Sequence, residues 1–133
     1  MGTAYKLNCK HCTYSRDVFL GIGFSHMYLS SILPIIKNTE ARQRITAFIS
    51  DESAKHDSYE ALFVCGKCNN LHNELFLQIK SNSDRYEINY NCSRCSEPLP
   101  SEPLEELSPT TTVLTCPNCG KKKLDITSYM DWD

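Results

Sequence analysis

The sequence has 133 residues, of which 41% are hydrophobic and 23% are charged, and its formal net charge is −2. This composition excludes a disordered chain, and the length fits one ordinary domain, which we expect to span residues 1–133. The opening residues, MGTAYKLNCK, lack the apolar core of a secretory signal. We therefore expect a cytoplasmic protein whose cysteine thiols stay reduced.

Two segments of the chain share one pattern. AYKLNCKHCTYSRDVFLGI (residues 4–22) and ALFVCGKCNNLHNELFLQI (residues 61–79) each consist of an apolar run, a CxxC pair, a polar stretch and a second apolar run. This regularity predicts two copies of one strand–turn–strand unit, and hence two ribbon-like halves within the domain. Two further CxxC pairs follow the short strand-like runs RYEINYN (residues 85–91) and TTVLT (residues 111–115). Each CxxC is therefore predicted to form a turn at the end of a strand.

A helical insert is predicted between the two units, over residues 24–60, with its helices at about residues 25–52. A first apolar stripe indicates a short helix capped by Ser25 and broken at Pro34; its members are Leu29, Ile32, Leu33 and Ile36. A second stripe indicates a helix capped by Asn38 or Thr39; its members are Ala41, Ile45, Phe48 and Ile49. Residues 51–58 are predicted to be a polar exit from this helix.

Residues 18–36 contain no Lys, Arg, Asp or Glu and approach the minimum length of a membrane span. Two glycines, three serines, a histidine and Pro34 interrupt the run, so a helix here would be only marginally hydrophobic. We expect no membrane segment.

The second half of the chain contains a predicted β-hairpin. HNELFLQIK (residues 72–80) and RYEINYN flank SNSD (residues 81–84), a cluster of turn-forming residues, and apolar side chains alternate along both runs. The following segment, residues 96–111, is rich in Pro, Glu and Ser and is predicted to be an extended linker. In the tail DITSYMDWD, Trp132 is expected to dock the end of the chain.

All eight cysteines belong to the four CxxC pairs. Two CxxC pairs supply the four thiolates of a tetrahedral site, so four pairs predict two sites. Closing the hairpin brings its open end together and favours one site formed by Cys65, Cys68, Cys92 and Cys95. The remaining cysteines would then form the second site and join the two ends of the chain; they are Cys9, Cys12, Cys116 and Cys119. The alternative is a sequential arrangement, in which the first two pairs share one ion and the last two share the other.

Zinc is the predicted metal, with two ions per chain. Iron in a rubredoxin-like site is the alternative, because CPNCG has the form of a rubredoxin knuckle, although the other three pairs lack the glycine after the second cysteine. A redox dithiol is disfavoured, since that chemistry uses a CxxC that opens a helix after a strand. His11 and His72 lie close to cysteines but are expected to be surface groups or neighbours of the ligands.

The stretch from FVCGKC to YNCSRC resembles a zinc ribbon of the rubredoxin-like class, and the whole chain is similar to small uncharacterised bacterial proteins built from paired CxxC knuckles. The resemblance covers the knuckles and the hairpin, not the helical insert, and it implies a ribbon fold and a bound metal. With the insert included, we expect an α+β fold of small antiparallel β-hairpins with two four-cysteine sites. The resemblance does not imply a biological task, because zinc ribbons occur in transcription factors, ribosomal proteins, polymerase subunits and enzyme appendages.

Function is predicted to be binding rather than catalysis. A site closed by four cysteines has no open coordination position, and no catalytic triad, phosphate-binding loop or HExxH motif occurs. We expect an adaptor for an unidentified protein partner, and the sequence indicates no oligomeric state.

A nucleic-acid-binding ribbon of transcription or translation is the alternative. Tyr86 and Tyr90 could stack on bases, and Lys121–Lys123 would add to a basic N-terminal third that contains Lys6, Lys10, Arg16, Lys37, Arg42 and Arg44. Against this, two zinc–thiolate centres would bring the net charge to roughly −6.

Overall fold

The computed structural model describes residues 1–121 and 123–133. In chain order the elements are β1 (Gly2–Asn8), β2 (Ser15–Gly21), a 3₁₀ turn (Phe24–His26), α1 (Leu29–Ile32), a second 3₁₀ turn (Leu33–Ile35), α2 (Thr39–Ile49), β3 (Lys55–Val64), β4 (Leu71–Lys80), β5 (Arg85–Glu87) and β6 (Asp125–Trp132). Across these described residues the six strands form one antiparallel sheet in the order β5-β4-β3-β2-β1-β6. A small antiparallel sheet with few helices is compatible with the expected α+β ribbon architecture.

The predicted repeat is confirmed as two matching β-hairpins. CKHCTY joins β1 to β2 and CGKCNN joins β3 to β4, and both six-residue loops are closed by a paired residue on either side. The hairpins lie next to each other, but β2 and β3 pair only at Gly21 and Glu60. Because neighbouring strands are antiparallel, β1 and β3 run in the same direction. Both CxxC loops therefore lie at the same end of the sheet.

The helical insert is shorter than predicted. α2 begins after Asn38, whose side chain accepts a hydrogen bond from the Ala41 N–H, so this predicted cap is confirmed. The helix ends at Ile49, before the predicted end at about residue 52. Ile49 is 42% exposed, so it does not belong to the buried stripe. The prediction of a polar exit over residues 51–58 is wrong for its second half, because β3 begins at Lys55. Backbone pairing with β4, from Lys55–Lys80 to Ser58–Leu77, gives this stretch its extended conformation despite its polar composition.

The first predicted helix is broken at Pro34, as expected. α1 spans only four residues, and Pro34 lies in the 3₁₀ turn that follows it. Ser25 does not cap α1, because it lies in the preceding 3₁₀ turn and Tyr28 occupies the N-cap position. Residues 18–36 are divided among β2 and these short turns, and no helix in the described part of the chain is long and apolar enough to cross a membrane.

The predicted β4–β5 hairpin forms around SNSD, with Lys80 paired to Arg85 and Gln78 paired to Glu87. β5 ends at Glu87, so the rest of RYEINYN is not a regular strand. TTVLT is not a strand either, and only Thr115 forms an isolated bridge, to Lys123.

The Pro-rich segment at residues 96–111 packs against the sheet. Leu104 exchanges two backbone hydrogen bonds of 2.9 Å with Leu62, and the buried Leu107 donates its N–H to the Tyr5 hydroxyl at 3.3 Å. The segment thus carries the chain from the third CxxC to the fourth along a fixed path.

Two apolar clusters stabilise the fold. One packs the sheet beneath the cysteine loops; its fully buried leucines are Leu7, Leu20, Leu62, Leu71 and Leu124. The other packs α1 and α2 on β4; it includes Ile32, Ala41, Ile45, Phe48, Leu75, Leu77 and Ile79. The helices therefore cover one side of the β4 region, as the apolar stripes predicted.

Candidate metal centres

The eight cysteine sulfurs lie in two compact groups. Group 1 contains Cys65, Cys68, Cys92 and Cys95, and group 2 contains Cys9, Cys12, Cys116 and Cys119. Among the residues that the structure describes, these are the two sets placed to hold a metal ion, and within each set the ligand atoms lie within 4.8 Å of one another. This is the grouping that the hairpin argument favours, and the sequential alternative is not formed. Either group could hold one metal ion.

The sulfur positions match a tetrahedral site. In group 1 the Cys65–Cys95 and Cys68–Cys92 Sγ atoms are 3.6 and 3.5 Å apart. In group 2 the Cys9–Cys119 and Cys12–Cys116 Sγ atoms are 3.9 and 3.6 Å apart. A tetrahedron with metal–sulfur bonds of about 2.3 Å has sulfur–sulfur edges of about 3.8 Å, whereas a disulfide bond is about 2.05 Å. The measured distances are compatible with four thiolates around one ion.

The loop backbone explains how a CxxC pair directs both sulfurs inward. In three of the four loops the backbone N–H of the first cysteine donates to the carbonyl five residues later: Cys9 to Tyr14, Cys65 to Asn70 and Cys92 to Glu97. A smaller turn forms where the backbone N–H of the residue after the second cysteine donates to the carbonyl of the first cysteine. The donating residues are Asn69, Ser96 and Gly120. These three residues have φ of 63°, 65° and 70°.

The first loop differs from the other three. Thr13 occupies the position after Cys12, and it is not among the residues with positive φ. A β-branched side chain makes the left-handed conformation expensive, so this loop keeps the Cys9–Tyr14 hydrogen bond without the smaller turn. Group 2 therefore joins two loops of different backbone geometry.

Backbone N–H groups shift the thiol pKa values in group 1. The Asn70 N–H is the main cause that lowers the pKa of Cys68 to about 6, against the opposing effect of burial. Burial also opposes ionisation of Cys92, but hydrogen bonds from the Cys95 and Arg94 backbone and from His72 lower its pKa to about 7. For Cys95 the Glu97 N–H acts in the lowering direction, yet burial and the neighbouring sulfurs raise the pKa to about 12.

Group 2 is divided in the same way. The Tyr14 N–H lowers the pKa of Cys12, whereas the pKa of Cys9 is raised to about 11 because burial and the sulfurs of Cys12 and Cys116 outweigh the His11 N–H. Four crowded sulfurs thus cannot all ionise without a counter-charge. A divalent cation bound here would supply that charge and stabilise all four thiolates together.

Polar side chains surround the sulfurs of group 1. His72 is 8% exposed, and its Nε2 lies 3.4 Å from the Cys92 Sγ and 3.3 Å from the Asn70 Nδ2. This places His72 beside a candidate ligand, as expected, while His11 is exposed. In group 2 the Asn118 side-chain amide lies 3.7 Å from the Cys12 Sγ. Donors of this kind orient thiolates and reduce their excess negative charge.

Arg94 joins the two groups. It lies between Cys92 and Cys95, and its guanidinium donates to the Cys68 carbonyl within group 1. The same guanidinium donates from Nη1 to the Pro117 carbonyl at 2.8 Å, and Pro117 lies between the cysteines of the fourth loop, in group 2. The sequence contains no signal for this contact, because it depends on how the third and fourth loops meet.

The predicted basic residues are mostly engaged within the protein. Lys6, Lys10 and Arg44 form ion pairs with Asp17, Asp125 and Asp84 at 3.7, 3.5 and 3.2 Å. The guanidinium groups of Arg16 and Arg42 donate to backbone carbonyls. Lys121 and Lys123 are exposed, and Lys122 lies outside the described residues.

The two tyrosines proposed as base-stacking residues are also engaged. The Tyr90 hydroxyl donates to the Leu75 carbonyl at 2.6 Å, and its ring packs edge-on against Phe63. The Arg44 guanidinium lies 4.8 Å from the centroid of the Tyr86 ring.

Comparison of the chain with protein-family models, with curated proteins and with solved structures found no match. The assignment of the two groups as candidate metal centres therefore rests on their geometry.

Proposed function

We propose that this protein is a binding module whose fold depends on two structural zinc ions, one held by group 1 and the other by group 2. The observation that carries the proposal is the spacing of the sulfurs, which lie 3.5–3.9 Å apart across each pair of loops, close to the edges of a zinc–thiolate tetrahedron. The donor set supports the same conclusion, since four thiolates are a typical structural zinc site.

The proposed role of each ion is to hold two loops together. Four cysteine ligands leave no open position for water or substrate, so neither centre is assigned a catalytic step. Apparent binding free energies of structural zinc are on the order of 10–16 kcal/mol, which equals or exceeds the net stability of most domains. Metal binding at the cysteine end would therefore stabilise both hairpins and the pairing of β1 with β6.

Iron remains the competing metal, and with it a rubredoxin-like electron carrier. The left-handed turns at Asn69, Ser96 and Gly120 suit either ion, because iron–thiolate and zinc–thiolate tetrahedra have similar dimensions. Metal analysis of the purified protein separates the two. We expect two zinc ions per chain, and one after Cys95→Ser or Cys116→Ser; two iron atoms with visible thiolate-to-iron absorption would replace the zinc proposal.

Chelation tests the structural role directly. Removing the metal with a strong chelator under mildly acidic conditions should abolish the cooperative thermal transition, and adding back zinc should restore it. A metal-free protein with an unchanged circular dichroism spectrum and melting temperature would show that the ions are not structural.

The proposal favours a protein partner over a nucleic acid. Five of the basic side chains predicted to contact phosphates form ion pairs or hydrogen bonds with other groups of the protein; they are Lys6, Lys10, Arg16, Arg42 and Arg44. Two zinc–thiolate centres would also add negative charge to a chain whose formal charge is already −2.

A further inference from the structure

Two adjoining depressions lie on the sheet away from the cysteine loops. They have volumes of about 420 and 350 Å³ and share Ile22 and Glu105 in their lining. The larger one extends towards Met1, Pro103 and Glu106, and the smaller one extends over β3 and β4, with Asp57, Tyr59 and Phe76 in its lining. We refer to the surface formed by Ile22, Asp57, Tyr59, Phe76 and Glu105 as the acidic cleft.

The floor of the acidic cleft is an aromatic pair. Tyr59 and Phe76 are directly opposite in the β3–β4 register, and their rings stack with centroids 4.7 Å apart. The neighbouring pair, Ser58 and Leu77, points to the other side of the sheet, where Leu77 packs in the cluster beneath α2. Since side chains alternate along a strand, the aromatic pair faces away from the helices and is only partly buried.

The walls are held in place by the backbone. Ile22 follows the last residue of β2, next to the single point at which β2 pairs with β3, and its side chain is 43% exposed. Glu105 follows Leu104, whose two hydrogen bonds to Leu62 fix the Pro-rich segment on the sheet. The cleft is therefore preformed on paired backbone, which reduces the entropic cost of binding.

The charged side chains that line the two depressions are all acidic. Asp57, Glu105 and Glu106 are exposed, and among the described residues none of the three carboxylates forms an ion pair. The Met1 ammonium at the edge of the larger depression is paired with Asp133 at 3.5 Å. Lys55 and Lys80 line a third depression, which shares Asp57 and Gln78 with the smaller one. These two basic side chains therefore adjoin Asp57 and form the border of the acidic surface on that side.

The acidic field acts on the aromatic floor. Burial is the main cause that raises the pKa of Tyr59, and the charges of Glu105 and Asp57 raise it further. Both carboxylates are thus close enough to the Tyr59 hydroxyl to disfavour its ionisation. In the described part of the chain the Tyr59 hydroxyl has no hydrogen-bond partner, so it is free to bond to a ligand.

We propose that the acidic cleft binds an extended segment of a partner protein in which Lys or Arg side chains adjoin apolar ones. A cation above the Tyr59–Phe76 pair would gain attraction from the rings and from Asp57 and Glu105 together. An adjoining apolar side chain would pack on Ile22. The proposal rests on the proposed function only in taking the protein to be a binding module, and it does not depend on which metal is bound.

The test uses a fluorescein-labelled octapeptide of alternating arginine and leucine with the metal-loaded protein, measured by fluorescence anisotropy at low ionic strength. Octapeptides of alternating glutamate and leucine, and of alternating arginine and serine, are the probe controls. We expect the arginine–leucine peptide to bind at least tenfold more tightly than either control. The double variant Asp57→Asn, Glu105→Gln should weaken that binding at least fivefold.

Glu102→Gln is the matched control, because Glu102 is exposed in the same Pro-rich segment but does not line the cleft. Metal content and circular dichroism of each variant establish that the fold and the metal centres are intact, so loss of peptide binding is distinguishable from failure of the metal proposal. Equal binding of the acidic peptide, or equal losses in Glu102→Gln and the double variant, would overturn the proposal. So would direct binding of a labelled single-stranded oligonucleotide, measured without peptide, that is as tight as that of the arginine–leucine peptide, or self-association that the double variant abolishes.

Discussion

Replacing Arg94 with methionine should weaken metal binding at group 1 and uncouple the two metal centres. The guanidinium donates to the Cys68 carbonyl, which stabilises a loop of group 1, and to the Pro117 carbonyl, which belongs to a loop of group 2. Methionine keeps an unbranched side chain of similar length and removes both donors. The Cys68 contact lies within one centre, so only the Pro117 contact can transmit the state of one centre to the other.

The size of the effect follows from these two hydrogen bonds. A hydrogen bond from a charged donor contributes about 1.5–3 kcal/mol, and solvent screening of the exposed Arg94 reduces each to about 1 kcal/mol. Arg94→Met should therefore cost about 2 kcal/mol in total, or roughly 30-fold in the apparent metal affinity of group 1. The Pro117 share, about 1 kcal/mol, corresponds to roughly fivefold coupling between the centres.

Competition for zinc with a fluorescent chelator measures both quantities when it is performed in two backgrounds. In the otherwise unmodified protein, Arg94→Met should show the full loss. In a Cys116→Ser background, in which group 2 is already disrupted, it should show only the Cys68 share. Arg85→Met is the control, because the Arg85 side chain makes no ion pair or hydrogen bond within the described residues. Equal losses in both backgrounds, or no difference from Arg85→Met, would refute the coupling.

Three further changes test other parts of the structure. Gly120→Ala should lower the stability of the metal-loaded protein by about 1 kcal/mol, because φ at this position is 70°, although no atom lies within 4 Å of the added methyl. Gly66 does not have a positive φ, so Gly66→Ala should be neutral or slightly stabilising. Equal melting temperatures of the two variants would contradict this. Cys116→Ser should raise hydrogen exchange in β1 and β6 alike, while Cys95→Ser should raise it around β5. If exchange in Cys116→Ser rose only after residue 100, the grouping of the cysteines would be wrong. Asn38→Ala should lower the free energy of unfolding by about 1 kcal/mol in urea titrations, since it removes the hydrogen bond to the Ala41 N–H, and an unchanged midpoint would show that the cap contributes nothing.

The sequence predicted those parts of the fold that depend on local pattern. The two six-residue CxxC loops, the SNSD turn and the Asn38 cap are encoded within a few residues, so each could be recognised without knowing the rest of the chain. The grouping of the cysteines followed from one of these local features, because a hairpin fixes which chain ends come together. Boundaries were less accurate: β5 is shorter than RYEINYN, and β3 begins inside a stretch that is polar by composition.

Contacts between distant segments could not be predicted in the same way. β6 pairs along the whole of β1, yet in its sequence only Ile126 is a buried side chain, so the strand carries little apolar alternation. Trp132, at the end of β6, packs directly on the backbone of Gly23. A Cβ at this glycine would lie 2.7 Å from the indole. Such a fit depends on two segments more than 100 residues apart, and neither segment shows it alone.

The loop geometry also changes the argument about the metal. The missing glycine in three of the four loops counts against iron only if the turn needs glycine. Asn69 and Ser96 adopt the same left-handed conformation as Gly120, and the Thr13 loop directs its sulfurs towards group 2 without that conformation. Asparagine tolerates the left-handed region, and serine occupies it at a cost of about 1–2 kcal/mol, which is small beside the free energy of binding a metal. The residue after the second cysteine therefore does not discriminate between zinc and iron, and the preference for zinc rests on four-thiolate sites of this kind being typical structural zinc sites.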